Sequence, residues 1–152
     1  VMTLAKALGN GVPIGALLAK DAVASHFKPG DHGSTFGGNP LVCAAAFATV
    51  QAIEDENILA NVNEMGNYFK EKLVAFKEKY DFILDVRGKG LLLGMELAMK
   101  GTDIVAKCLE KGVIINCTHD TVLRFLPPLN VTCAEIDKAV AVMDEVFQTI
   151  EA

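Results

Sequence analysis

Three places in this chain carry residue types that do chemistry in the right company. The first is Lys6, in Thr3-Leu4-Ala5-Lys6-Ala7-Leu8-Gly9-Asn10-Gly11, a lysine between apolar neighbours just before a Gly-rich turn. An uncharged amine attacks a carbonyl, and desolvation or nearby positive charge moves a lysine toward that state. A solvated lysine snorkelling from a strand end has the same local sequence. The second place is Ser34-Thr35, in Gly33-Ser34-Thr35-Phe36-Gly37-Gly38-Asn39-Pro40, two hydroxyls among small residues directly before a helix. Free backbone donors and a positive dipole end suit a phosphate there. An ordinary loop with Ser/Thr turn bonds fits equally well. The third is Arg124, which breaks the apolar strand Thr121-Val122-Leu123-Arg124-Phe125-Leu126. A guanidinium fork matches a carboxylate by two hydrogen bonds. A structural ion pair at a sheet edge is the alternative.

Other patterns drop out on spacing. Gly88-Lys89-Gly90-Leu91-Leu92-Leu93-Gly94 misses the dinucleotide fingerprint by one residue, and a strand follows it where pyrophosphate needs a helix terminus. There is no G-x-x-x-x-G-K-[ST] and no G-x-S-x-G, and His26, His32 and His119 have no local nucleophile partner. Cys43, Cys108, Cys117 and Cys133 form no C-x-x-C pair and lie at no zinc-ligand spacing from a histidine. No metal site is expected. Their apolar surroundings predict small buried hydrophobes in a reducing compartment.

These residues need elements to hold them. Two apolar runs between Val1 and Lys20 are expected to be extended and separated by a turn at Gly9-Asn10-Gly11-Val12-Pro13, with Ile14–Ala19 a short buried strand. A polar loop covers Lys28 to Pro40. Asn39 as cap and Pro40 at the first helical position then start a helix that is apolar almost all round, so burial on most faces is predicted. Ile58, Val62, Met65, Phe69, Leu73, Phe76 and Tyr80 alternate by threes and fours, an amphipathic helix facing a core. Strands follow at 82–87 and 91–97 around Gly88-Lys89-Gly90, then a helix from Thr102 with Gly112 as left-handed cap. Strands at 113–117 and 122–126 are joined by Thr118-His119-Asp120, and Pro127-Pro128 stops the second. Thr132-Cys133-Ala134-Glu135 is a capping box opening a last helix with the stripe Ile136, Val140, Met143, Phe147 and Ile150. From Pro40 onward this order predicts a short sheet covered by helices on one side.

Hydrophobic residues make up 51% of the 152 and charged residues 22%, the balance of a folded, non-membrane chain. A net charge of −5 without any basic run argues against a nucleic-acid partner. No apolar stretch spans a bilayer and no signal segment opens the chain, so a cytoplasmic protein is expected. Val1-Met2-Thr3-Leu4-Ala5 is apolar from the first residue, where natural termini are polar and frayed, so a fragment of a longer protein is expected. That apolar run, without an evident partner, is expected to be exposed.

Taken together, the motifs resemble the class III (subgroup II) aminotransferases along nearly the whole chain. Thr3 to Ala16 is similar to that family's cofactor-lysine segment, and His32-Gly33-Ser34-Thr35-Phe36-Gly37-Gly38-Asn39-Pro40-Leu41 to its phosphate-contact loop. Arg87-Gly88-Lys89-Gly90-Leu91-Leu92-Leu93-Gly94-Met95-Glu96 and Leu123-Arg124-Phe125-Leu126-Pro127-Pro128-Leu129 resemble two signatures of its small domain. The order and spacing are more specific than any one motif.

The resemblance implies an α/β fold, α+β in its C-terminal part: a piece of a fold-type I transferase dependent on pyridoxal 5'-phosphate. Residues 1–39 would be the C-terminal tail of the large cofactor domain, 40–60 a connecting buried helix, and 61–152 the small C-terminal domain. It implies that Lys6 condenses with the cofactor aldehyde and then serves as general base and acid. Thr35, with weaker support from Ser34, would contact the cofactor phosphate across a homodimer. Arg124 would hold a substrate carboxylate. The family's phosphate-cradling loop, ring-stacking aromatic and aspartate facing the pyridine nitrogen precede its lysine and are not found in these residues, so the chain alone is expected to be inactive. The run Val113–Thr118 followed by Leu123–Leu129 is most similar to acetylornithine-type members, which exchange an amino group between N-acetylornithine and 2-oxoglutarate in arginine biosynthesis. Ornithine, succinylornithine and 4-aminobutyrate aminotransferases share these signatures. An aminomutase or decarboxylase of the same fold, or a non-enzymatic helix-and-sheet binding module with an exposed Lys6, are the competing readings.

Overall fold

The first apolar run folds back on itself. In the computed structural model, which describes residues 1–151, β1 (Met2–Leu4) pairs antiparallel with β2 (Ala16–Leu18), Thr3 lying opposite Leu17. Between them Lys6–Gly9 is not extended as expected but forms one turn of 3₁₀ helix, closed by Leu8 N–H to Ala5 O at 3.2 Å and Asn10 N–H to Ala7 O at 3.0 Å. Short tight turns of this kind serve as connectors, and Asn10 at φ 45° ends it in a left-handed conformation that asparagine tolerates. A four-residue helix, α1 (Asp21–Ala24), interrupts the following loop. Helix α2 (Pro40–Asp55) starts where the sequence predicts, with Asn39 Oδ1 accepting the Leu41 N–H at 3.0 Å. Val1–Asn57 is one compact unit.

Burial in this unit departs from expectation. Leu17 and Leu18 of β2 are 58% and 48% exposed, so the strand is not buried. Leu41 and Phe47 of α2 are 73% and 71% exposed, and Ala46 is that helix's one buried residue. An apolar circumference demands cover, and no described residue supplies it. Val1, Met2 and Leu4 are exposed, as the sequence reading has it.

The second unit, Ile58–Ala152, is built around a core. Helix α3 (Ile58–Lys79) places Met65, Phe69, Leu73 and Phe76 inward at the predicted spacing, with Tyr80 just beyond its end. Strands β3 (Ile83–Lys89) and β4 (Leu92–Leu97) form a hairpin whose turn is Gly90-Leu91; β3 therefore runs through Gly88 and Lys89, two residues beyond the expected end. A register shift between Ile83 and Asp85 lets both Ile83 and Val86 face the core despite their odd spacing. Helix α4 (Thr102–Glu110) ends at Gly112, φ 83°, with Gly112 N–H to Leu109 O at 2.9 Å and Val113 N–H to Cys108 O at 2.8 Å. That pair of bonds is the glycine-dependent helix stop expected there. It also holds Val113 out of the next strand, so β5 is only Asn116–Thr118 where 113–117 was expected. His119 and Asp120, both at positive φ, turn it into β6 (Val122–Phe125). The capping box then opens α5 (Cys133–Glu151): Glu135 Oε2 accepts the Thr132 N–H at 2.8 Å, and Thr132 Oγ1 accepts the Glu135 N–H at 3.4 Å.

The four strands form one antiparallel sheet in the order β3-β4-β6-β5. One face is buried: Leu93, Met95 and Leu97 of β4 with Leu123 and Phe125 of β6. Phe147 of α5 lies edge-on to Phe76, Tyr80 and Phe82, with ring centroids 5.2, 5.4 and 5.6 Å away. The alternate residues of the same strands, among them Leu92, Gly94, Glu96, Val122 and Arg124, point to the other face, which is partly or fully exposed. This is the one-sided sheet that the element order predicts. Among the described residues no helix is long and apolar enough to cross a membrane.

Candidate active site

Lys6 opens the 3₁₀ turn directly after the β1 strand, at φ 56°. A non-glycine residue in that region costs of order 1–3 kcal/mol and persists only where neighbouring structure imposes it. Here the pairing of β1 with β2 on one side and the turn closed at Asn10 on the other impose it. The side chain is exposed, and among the described residues it makes no hydrogen bond or ion pair. An amine is thus presented from a strained backbone position with nothing engaging it.

Ser34 and Thr35 stand in an exposed bend where Gly37 N–H donates to Ser34 O at 3.4 Å and Asn39 N–H to Phe36 O at 3.3 Å. Neither hydroxyl has a partner among the described residues. The helix end behind them offers less than the sequence implied: Pro40 has no N–H, and Asn39 occupies that of Leu41. The bend leaves the two hydroxyls open, together with the N–H groups of Thr35, Phe36 and Gly38, which find no acceptor among the described residues. Lys6, Ser34 and Thr35 belong to the first unit and Arg124 to the second.

Arg124 lies on β6, an inner strand rather than a sheet edge. Its register neighbours are Gly94 on β4 and Asn116 on β5, and Gly94 in turn faces Arg87 on β3. The exposed face therefore carries a row Arg87, Gly94, Arg124, Asn116 across all four strands. Arg87 Nη1 is tied to Asp85 Oδ2 at 3.0 Å and Glu96 Oε2 at 2.5 Å, and its guanidinium holds the Asp85 carboxyl below the usual range. Arg124 makes no ion pair among the described residues; its Nε donates to Asn116 Oδ1 at 3.1 Å. The ion-pair alternative for Arg124 falls. Of two arginines on one face, one is neutralised by its own chain and the other is available to an outside anion.

Asn116 and Gly94 were not singled out in the sequence. The loop is His119-Asp120-Thr121, one residue later than the expected turn, and this sets 116 opposite 124 where a turn at 118–120 would set it opposite 122. Of the cysteines, only Cys108 is buried, and burial pushes its thiol up to about 11; Cys117 is half-buried, while Cys43 and Cys133 are exposed, contrary to the buried role expected of all four. No group of three or more metal-ligating side chains occurs among the described residues.

In the first unit an amine and two hydroxyls are of the chemical kind that suits the aldehyde and phosphate of pyridoxal 5'-phosphate; in the second, Arg124 is of the kind that suits a carboxylate. Comparison with known proteins agrees in family. The chain is 56% identical over 151 residues to the acetylornithine aminotransferase of Methanocaldococcus jannaschii, covering 99% of this chain and 38% of that protein. It spans well under half the length of such relatives. Its fold superposes with TM-score 0.89 on the crystal structure of acetylornithine aminotransferase from Elizabethkingia anophelis, at 34% identity over 97% of this chain and 40% of that one. It superposes with TM-score 0.91 on the ornithine aminotransferase of Toxoplasma gondii, whose active site holds PLP at partial occupancy, at 36% identity over 98% of this chain and 36% of that one. The family profile described as Aminotransferase class-III matches residues 1–147. With 147 of 152 residues inside that match, this chain belongs to the class-III aminotransferases.

Proposed function

We propose that the chain is the C-terminal part of an aminotransferase that moves an amino group between N-acetylornithine and 2-oxoglutarate, in arginine biosynthesis, as a cytoplasmic homodimer. Residues 1–39 end a large cofactor domain, 40–60 connect, and 61–152 form the small domain. The observation that carries this is Lys6: an unengaged amine at φ 56°, inside the segment that matches the family. The name shared by the 56% identical relative supports acetylornithine as donor.

Pyridoxal 5'-phosphate, when bound, supplies an aldehyde for the amino group and an electron sink for the pair left on substrate Cα when its proton is removed. Lys6 would hold the cofactor through its aldehyde, and its Nζ would take up and return the proton of substrate Cα. Thr35 Oγ1, helped by Ser34 Oγ, donates to the phosphate in the neighbouring subunit's site. Arg124 receives a substrate carboxylate through the two Nη groups that its own chain leaves open.

Borohydride reduction of the full-length holoenzyme followed by peptide mapping tests the assignment. A pyridoxyl mass on Lys6 is the expected result, and a label on another lysine, or on none, overturns it. Turnover with N-acetylornithine should exceed that with 4-aminobutyrate; the reverse order removes the substrate assignment and leaves the lysine. The isolated 152-residue chain should give no turnover.

A further inference from the structure

We propose that Asn116 is a positioning residue for Arg124, setting the plane of its guanidinium so that both Nη groups meet the substrate carboxylate end-on. The proposal rests on the reading of Arg124 as the carboxylate fork. An exposed arginine has about 2 kcal/mol of side-chain rotamer freedom to lose when it binds, so a fork held beforehand binds more tightly than a loose one. Something on the chain must hold it.

The sheet register allows few candidates. Arg124 has one cross-strand neighbour on each side, Gly94 and Asn116. Gly94 has no side chain, and a Cβ built there would meet Val122 Cγ1 at 3.4 Å, an ordinary contact. Packing within this chain therefore does not demand the glycine. A glycine inside a strand without an internal reason leaves room for something to approach the sheet closely. The other neighbour, Asn116, accepts from Arg124 Nε at 3.1 Å, and that is the one hydrogen bond Arg124's side chain makes among the described residues. Since Nε is only a donor, the asparagine atom facing it must be Oδ1, which fixes the amide orientation.

The consequence is geometric. A carboxylate can engage a guanidinium side-on, through Nε and one Nη, or end-on, through both Nη groups. Asn116 occupies Nε and closes the side-on mode. It leaves the end-on pair on the exposed face, beside the uncovered strip at Gly94. Arg87, on the far side of Gly94, does not compete for the anion because Asp85 and Glu96 already hold it. Asn116 is neutral, so it orients the fork without cancelling its charge, as an aspartate there would.

The test is a double-mutant cycle in the full-length holoenzyme, reading KM and kcat for amino donor and 2-oxo acid together with the thermal midpoint. Asn116→Leu keeps the volume and removes the acceptor. The loss of one oriented hydrogen bond should raise KM about fivefold, with kcat within about twofold. The thermal midpoint should stay put, because Asn116 is exposed. Asn116→Thr, strand-compatible but too short to span the bond, should give the same KM if the leucine variant does not fold. In an Arg124→Leu background, Asn116→Leu should add nothing to KM. An unchanged KM in Asn116→Leu while Arg124→Leu raises it overturns the positioning role and leaves the fork. An equal KM rise in both backgrounds shows Asn116 acting on its own and also overturns it. A KM indifferent to Arg124→Leu removes the fork reading itself, and the proposal with it.

Discussion

The two units of this chain use similar apolar sequence for opposite ends. Residues 58–152 close Leu73, Met95, Ile104, Cys108, Leu123, Met143 and Phe147 completely from solvent. Residues 1–57 bury only Gly9 and Ala46 among the described residues, although α2 is as apolar as any helix in the second unit. The first unit carries Lys6, Ser34 and Thr35 on exposed turns; the second carries a closed core with one polar sheet face above it. Lys6, Ser34 and Thr35 sit where the backbone turns, whereas Arg124 and the buried core sit where periodicity and register agree. The contrast lies in local environment, not in composition.

Two phenylalanines put that contrast to its hardest test. Phe147 is closed off by three other aromatic rings, while Phe47 in α2 is 71% exposed. Phe147→Ala should destabilise the second unit by about 3–5 kcal/mol, since it removes a buried ring and leaves a cavity. Phe47→Ala in the same 152-residue chain should change stability by less than about 0.5 kcal/mol. Urea titrations of both variants, followed by far-ultraviolet circular dichroism, provide the measurement. Equal shifts of the midpoint would show that the first unit has a core after all.

A pH titration sharpens the comparison at smaller amplitude. Asp144 of α5 accepts from Lys79 Nζ at 2.6 Å and from Tyr80 Oη at 2.7 Å. Burial pushes its carboxyl up, but the bonds from Lys79 and Tyr80 outweigh burial and hold it below the usual range. A carboxyl lowered in the folded state contributes stability that is complete above the unfolded value, about 4, and is lost as pH falls through the folded value. Asp137, bonded to Tyr68 and Lys72, behaves alike. The second unit should therefore lose stability progressively below about pH 4. Asp144→Asn should lower stability at neutral pH and flatten that acid limb. An unchanged slope of midpoint against pH would remove Asp144 from the account. No comparable pairing of a carboxylate with a lysine and a tyrosine occurs among the described residues of the first unit.

What the sequence disclosed follows the same division. The stripes of α3 and α5, the cap at Asn39, the box at Thr132–Glu135 and the stop at Gly112 were legible because each is local: spacing, a side chain bonding backbone two or three residues away, or a glycine at positive φ. Burial of β2 and α2 was not, because an apolar face states what needs cover and not what provides it. The 3₁₀ turn at Lys6 was hidden by apolar flanks that read as extended chain. The residue types of Lys6, Thr35 and Arg124 were readable, and the partner of Arg124 was not. Asn116 could be matched to Arg124 only through the register of a hairpin whose first strand was placed too early, at 113 rather than 116. The neutralisation of Arg87, too, depends on which residues β4 sets beside it.

The smallest effect isolates unit from motif, because both units cap a long helix by the same chemistry. Asn39 Oδ1 accepts the Leu41 N–H at the start of α2, and Thr132 Oγ1 accepts the Glu135 N–H at the start of α5. Replacing either by alanine removes a cap worth about 1 kcal/mol. In α5 the first turns lead straight into Ile136, which is buried, so fraying there must disturb the core. Thr132→Ala should therefore lower the global unfolding free energy by about 1 kcal/mol. In α2 the first turn carries Leu41 at 73% exposure, so fraying disturbs no core. Asn39→Ala should leave the global midpoint nearly unchanged and speed amide hydrogen exchange at Leu41, Val42 and Cys43, a local opening well below the global one. If both variants shifted the global midpoint equally, the units would unfold as one, and the difference between them would hold for burial but not for stability.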